Sequence, residues 1–192
     1  MKRLCFDTES NYFMRPGTGV GTPEAHREHW RGRNLRFDCG VVFDEETGHY
    51  HEFGNNRAFE LLELLASADE LITHSGLRVD LIVLDHACGE DRVAPLWQIE
   101  HHDLMEICSM TSLDDLARQF IPDQSQLMHK EYKLRIEPLD IECKLKNWSD
   151  EKNFIATKIA KARYDVERTY AVFQEICRRR ALQSVVHQIP NI

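Results

Sequence analysis

At 192 residues, with 42% hydrophobic and 29% charged residues, the chain suits one α/β domain with a real core and excludes an intrinsically disordered protein. Its formal net charge of -8 argues against gripping duplex nucleic acid by bulk charge, though carboxylate clusters that bind metals also make a chain acidic. No apolar run reaches the ~18 residues needed to span a bilayer.

The N-terminus has no hydrophobic segment of signal-peptide length. The six cysteines (Cys5, Cys39, Cys88, Cys108, Cys143, Cys177) stand singly without a C-x-x-C pair. A reduced, cytoplasmic chain with no membrane contact is the expectation.

Residues 1–8 read as a first strand that ends in Asp7, Thr8 and Glu9. Residues i and i+2 of a strand share a face, so Asp7 and Glu9 converge. Two anions that close favour a cation between them, as in a hard divalent metal site built from oxygen ligands.

Residues 10–33 carry Pro16, Pro23 and glycines at 17, 19 and 21, and read as a long loop near the site. Their Gly-Thr-Gly-Val-Gly run does not fit a nucleotide-binding fingerprint. Tyr12, Phe13, Arg15, His26, Arg27, Trp30, Arg31 and Arg33 make the loop aromatic and basic. That mix suits contact with a single nucleic-acid strand, with Trp30 and Arg31 as candidate substrate contacts. The alternative is that Trp30 packs on its own domain.

Residues 34–44 and 49–53 read as a hairpin around a Glu45–Gly48 turn. A helix with apolar positions Phe59, Leu61, Leu62, Leu64 and Leu65 follows, then a short buried strand at 70–74. Ser75-Gly76 leads into a helix from about Val79 to Ala87. Residues 97–104 read as a fifth strand. Thr111-Ser112 caps a helix whose first turn carries Asp114 and Asp115. Residues 122–148 read as an irregular insertion, whose Lys130, Lys133, Lys144 and Lys146 offer a second basic wall. A Ser149-Asp150 cap precedes a long helix over about 151–183, with a buried face through Ile155, Ile159, Ala162, Val166, Tyr170, Phe173 and Ile176. This order implies one domain over 1–192: a mixed five-stranded sheet with an N-terminal antiparallel hairpin and helices on both faces.

Three acidic patches share a logic: Asp7 and Glu9 in FDTES, Asp80 in HSGLRVDL, and Asp165 in ARYDVERTY. Ligands collect where strand ends form a crevice in an α/β sheet. Four carboxylates gathered there could hold two Mg²⁺ or Mn²⁺ ions. The pairs His26/His29 and His49/His51 lack further ligands at metal spacing and read as surface histidines.

These three segments, in this order, resemble the motifs of the DEDD 3′–5′ exonucleases, which have a ribonuclease H-like fold. The resemblance runs over nearly the whole chain and is similar in feel to bacterial and phage members akin to the exonuclease domains of family B polymerases. It implies metal-dependent removal of nucleotides from single-stranded DNA or RNA 3′ ends, with Asp7, Glu9, Asp80 and Asp165 as metal ligands. His74 belongs to the second motif without ligating metal; Thr8 and His74 would border the substrate.

The chain departs from the family at the water-orienting group, a Tyr four or a His five residues before the last Asp. Lys161 and Ala160 stand there. Lys161, or less directly Tyr164, could position water; alternatively Lys161 forms an i,i+4 ion pair with Asp165. The departure leaves room for a slow enzyme, a different base from the 10–33 loop, or a fold that binds without turnover; an endonuclease using the same metals is a further reading.

Overall fold

The computed structural model describes residues 1–11, 22–31, 35–109, 112–139 and 151–186. Of the residues named above, Tyr12, Phe13, Arg15, Pro16, the glycines at 17, 19 and 21, Arg33, Thr111, Cys143, Lys144, Lys146 and the Ser149-Asp150 cap lie outside them, as does the His26 side chain.

Strand β1 (Arg3–Ser10) lies at the centre of a five-stranded sheet. Strands β2 (Phe37–Asp44) and β3 (His49–Phe53) form the expected hairpin on one side; β4 (Glu70–Thr73) and β5 (Glu100–Asp103) lie on the other. The order is β3-β2-β1-β4-β5. The β1–β2 and β2–β3 pairs are antiparallel; β1–β4 and β4–β5 are parallel. The expected mixed sheet of five strands is therefore present.

Alternation along β1 sorts its side chains between two cores. Leu4 and Phe6 enter a cluster with Leu61, Leu65, Leu81, Leu84 and Leu96. That cluster draws on α2 (Ala58–Leu65), α3 (Asp80–Cys88) and a 3₁₀ turn at Ala94–Gln98. Cys5 enters the opposite cluster with Val41, Ile72, Leu116, Ala162, Val166 and Phe173. Asp7 and Glu9 continue the Cys5 face beyond the apolar part of the strand.

The helices show where local signals mislead. Residues 10–33 include a helix, α1 (Pro23–Trp30), and 122–148 begin with another, α7 (Pro122–Arg135). Both expectations of irregular chain are corrected for the same reason: each proline sits in the first turn, where it needs no N–H partner and its fixed φ starts a helix. Thr22 caps α1 by accepting from the Ala25 N–H at 3.3 Å. Helix α7 also leaves Leu127 and Leu134 exposed, so no clean amphipathic period marks it. The fifth strand is shorter than 97–104 because the 3₁₀ turn takes Trp97 and Gln98.

Short helices α4 (Glu90–Val93) and α5 (Leu104–Ile107) complete the connections around β5. Helix α6 (Leu113–Phe120) starts at a Ser112 cap, as expected. Helix α8 (Glu151–Val186) lies across the Cys5 face of the sheet, burying Ala162, Val166, Val172, Phe173 and Ile176. Lys158 fixes α8 beside the end of β1: its ammonium donates to the Ser10 carbonyl at 2.5 Å and to the buried Asp38 carboxylate at 2.6 Å. No helix among the described residues is long and apolar enough to cross a membrane.

Candidate active site

The strand alternation and the position of α8 bring three carboxylates together. Asp7, Glu9 and Asp165 each offer an oxygen within 4.8 Å of the others. Burial and the neighbouring charges of Asp80 and Asp165 push the Asp7 carboxyl well above its ordinary range. Burial likewise raises Asp165 to about 6, against the opposing pull of Lys161 and Arg168. Such a group favours any cation that can enter.

Lys161 lies one helical turn before Asp165, but its ammonium bonds to Glu9 Oε1, at 2.5 Å. Its hydrogen-bond partner is therefore Glu9, not the Asp165 of the alternative i,i+4 pair, although the Asp165 charge still acts on it. Burial alone would weaken the hold of Lys161 on its proton. The charges of Glu9 and Asp165 outweigh that, and its pKa lies above the ordinary lysine value. Lys161 is a cationic donor, suited to meeting a water oxygen or a phosphate but not to accepting a proton.

Asp80 does not join this set of three, though its charge reaches Asp7. It is the first residue of α3, on the other side of β1, and is buried. Its Oδ1 accepts from the Thr8 backbone N–H at 2.6 Å and the Thr8 hydroxyl at 2.7 Å. The β1–β4 pairing ends with Cys5 opposite Ile72, so the Thr8 N–H has no β4 partner and bonds to Asp80 instead. Burial raises Asp80 to about 7 even though the Thr8 bonds favour its charged form. Thr8 thus borders the site by holding Asp80.

The turn between β4 and α3 is built around Asp103, at the end of β5. Asp103 is buried and accepts from the backbone N–H groups of Ser75 (2.8 Å), Leu77 (3.1 Å) and Met105 (3.0 Å). These bonds hold Ser75 at φ 71°, an uncommon conformation for a residue with a side chain. A Cβ on Gly76 would fall 2.5 Å from the Thr73 side chain, so only glycine fits there. The turn sets His74 beside the carboxylates.

A cleft of about 340 Å³ opens over the acidic group, lined by Asp7, His74, Asp114, Tyr132, Lys161 and Asp165 among others. Its far wall joins α7 to α8: the rings of Tyr132 and Tyr164 lie 4.7 Å apart at 34°. Arg168 sits over the Tyr164 ring at 4.8 Å, bonds to Asp114 and lies 3.5 Å from Asp165 Oδ1. Tyr132, Asp114 and Arg168 escape a sequence reading. Asp114 looks like a first-turn helix residue, and α7 is read as irregular. Only the three-residue step from Asp165 to Arg168 hints at a shared face.

The structure does not bring Trp30 and Arg31 to this cleft. Trp30 packs against the cluster that holds Leu4 and Phe6 and meets His29 edge-on at 5.5 Å. Arg31 pairs with Glu28 at 2.7 Å and Glu90 at 3.4 Å. Arg27 ties the same helix to Asp85 on α3, at 2.7 Å. Neither Trp30 nor Arg31 lines the cleft: α1 meets α3 and α4 through these ion pairs, and Trp30 packs on its own domain, the alternative expectation.

No protein-family model matches the chain, and comparison with curated proteins finds no significant match.

Proposed function

We propose that the protein is a divalent-metal-dependent nuclease that removes nucleotides from the 3′ ends of single-stranded DNA or RNA, on a ribonuclease H-like fold. The observation that carries this reading is the convergence of Asp7 and Glu9 from the central strand with Asp165 from α8, where Asp7 and Asp165 line one cleft. The three-motif resemblance supplies the reaction class and the 3′ polarity. A cytoplasmic setting accords with the buried, free thiols of Cys5, Cys39 and Cys88.

An all-carboxylate oxygen set suits Mg²⁺ or Mn²⁺ and lacks the imidazole or thiolate that zinc sites favour. Asp7, Glu9 and Asp165 would hold the metal, with Asp80 behind them; the resemblance implies two ions. When bound, the metal supplies an activated water and stabilises charge on the phosphate.

The chain's own residues do the rest. The Lys161 ammonium directs a water or a phosphate oxygen. Arg168 holds Asp165 and Asp114 in place from a buried position. The Tyr132–Tyr164 pair offers an aromatic wall in the same cleft, suited to a terminal base. His74 closes the edge of the cleft next to β4.

Purified protein with Mn²⁺ and a 3′-labelled single strand releases labelled mononucleotides, and Asp7→Ala abolishes the release. Activity that persists in Asp7→Ala, with contaminants excluded, rejects the mechanism. A second reading, a module that binds nucleic acid without turnover, is favoured by one observation: Lys161 and Ala160 replace the family's Tyr or His. Strand binding with no hydrolysis under either metal would select it.

A further inference from the structure

The Lys161–Glu9 contact bears on how the acidic group takes up metal, and the argument rests on the metal-dependent reading above. We infer that Lys161 is a built-in second cation of the Asp7–Glu9–Asp165 group, so that the group takes up one divalent ion rather than two.

Geometry comes first. Lys161 and Asp165 project from successive turns of α8 toward β1. The ammonium reaches past its helical neighbour to Glu9, a contact in which the side chains are 34% and 14% exposed. Lys158, three residues earlier, anchors the same face of the helix to the end of β1. The backbone carrying Lys161 is therefore fixed relative to Glu9, and the ammonium lies among the carboxylates instead of in solvent.

The charge count follows. Three carboxylates and one ammonium leave two negative charges, which one Mg²⁺ or Mn²⁺ neutralises. Two divalent ions would turn the group doubly positive and set the ammonium against a dication at close range. Asp80, whose charge reaches Asp7 from α3, adds one negative charge, and Arg168, shared between Asp114 and Asp165 (3.5 Å), offsets it on the Asp165 side. The group therefore keeps no full charge deficit for a second divalent ion.

The supply of ligand atoms points the same way. Hard divalent ions favour six or more oxygens, and a pair of ions close together relies on carboxylates shared between them. One oxygen of Glu9 is engaged by Lys161. Asp80, the fourth carboxylate of the sequence pattern, gives Oδ1 to two donors on Thr8 and lies outside the group of three. What remains suffices for one ion.

A lysine in this position also has work to do. A compact ammonium stabilises negative charge on a phosphate oxygen, one of the tasks of a second metal ion. It requires no loading from solution. The reaction then depends on a single metal-binding event.

The test is a Mn²⁺ titration of the full chain by calorimetry, paired with electron paramagnetic resonance. The wild type binds one ion per chain and gives the spectrum of isolated Mn²⁺. Lys161→Met, matched in length but uncharged, binds two ions and gives an exchange-coupled spectrum. Lys161→Arg, which keeps the charge, stays at one. Two coupled ions in the wild type overturn the inference and leave the metal-dependent reading standing. No ion bound in the wild type overturns both. The wild-type stoichiometry decides the question even if Lys161→Met fails to fold.

Discussion

Thr8 and Asp80 are joined by two hydrogen bonds to one oxygen, from the Thr8 backbone N–H at 2.6 Å and its hydroxyl at 2.7 Å. They belong to adjacent elements, the central strand and the helix behind it, and both are buried. The strand that presents Asp7 and Glu9 on one face therefore grips α3 through the residue between them.

This predicts the effect of Thr8→Val. The variant keeps the shape and the backbone bond but loses the hydroxyl. Above pH 7, where Asp80 is ionised, a hydrogen bond to a charged group contributes about 1.5–3 kcal/mol, and unfolding stability there falls by that amount. Urea denaturation checks it. Thr8→Ser, which restores a hydroxyl, recovers most of the loss.

Asp103 is the second structural anchor. Asp103→Ala leaves the N–H groups of Ser75, Leu77 and Met105 without that acceptor. Each buried donor left unpaired costs about 1–3 kcal/mol. The expected result is a large fall in the denaturation midpoint with an unchanged m-value. The proposed 3′-end cleavage also falls, because His74 and the start of α3 depend on this turn.

Glu70 gives a pH dependence. It accepts from Arg3 at 2.6 Å and contacts His102 at 3.0 Å. Burial raises its pKa, but the Arg3 and His102 interactions outweigh burial and hold it below the ordinary glutamate value. A carboxyl whose folded pKa is depressed contributes stability above its unfolded pKa and loses it as pH falls through the folded value. Glu70→Gln therefore destabilises at pH 7 and flattens the fall in stability below about pH 4.5. Denaturation midpoints from pH 3 to 7 measure this.

The α1 helix supplies a control. Arg31→Ala removes exposed ion pairs to Glu28 and Glu90, which contribute about 0–1 kcal/mol. Strand cleavage is unchanged in this variant. A Tyr132→Ala variant does the opposite. Its stability changes little, while single-strand affinity in a chelator falls by about 1–3 kcal/mol, roughly five- to 150-fold in Kd. Fluorescence anisotropy with a labelled oligonucleotide compares the two.

The parts of the site legible in the sequence are those fixed by local pattern. Strand period 2 places Asp7 and Glu9 on one face, and the helical period of α8 aims Asp165 at the sheet. What stays hidden depends on contacts between distant segments. Lys161 and Asp165 are neighbours in the helix, yet the stronger partner of Lys161 is Glu9, 152 positions away. Asp80 belongs to the pattern of acidic residues, but alternation at Thr8 puts it behind the strand. Pro23 and Pro122 look like interruptions because proline both ends and begins helices, and only the following turn distinguishes the cases. Trp30 and Arg31 have the chemistry of a nucleic-acid contact, and only the packing of α1 on α3 assigns them another place.

If Asp7, Glu9 and Asp165 form the proposed metal site, strand shortening depends on both the metal and these carboxylates. The most direct measurement is single-turnover digestion of a 5′-labelled single strand with Mn²⁺, by wild type and Asp165→Asn side by side, with chelator controls. A hydrolytic metal site gives a ladder shortening from the 3′ end in the wild type, silent in chelator and in Asp165→Asn. A ladder that persists in Asp165→Asn or in chelator would contradict it.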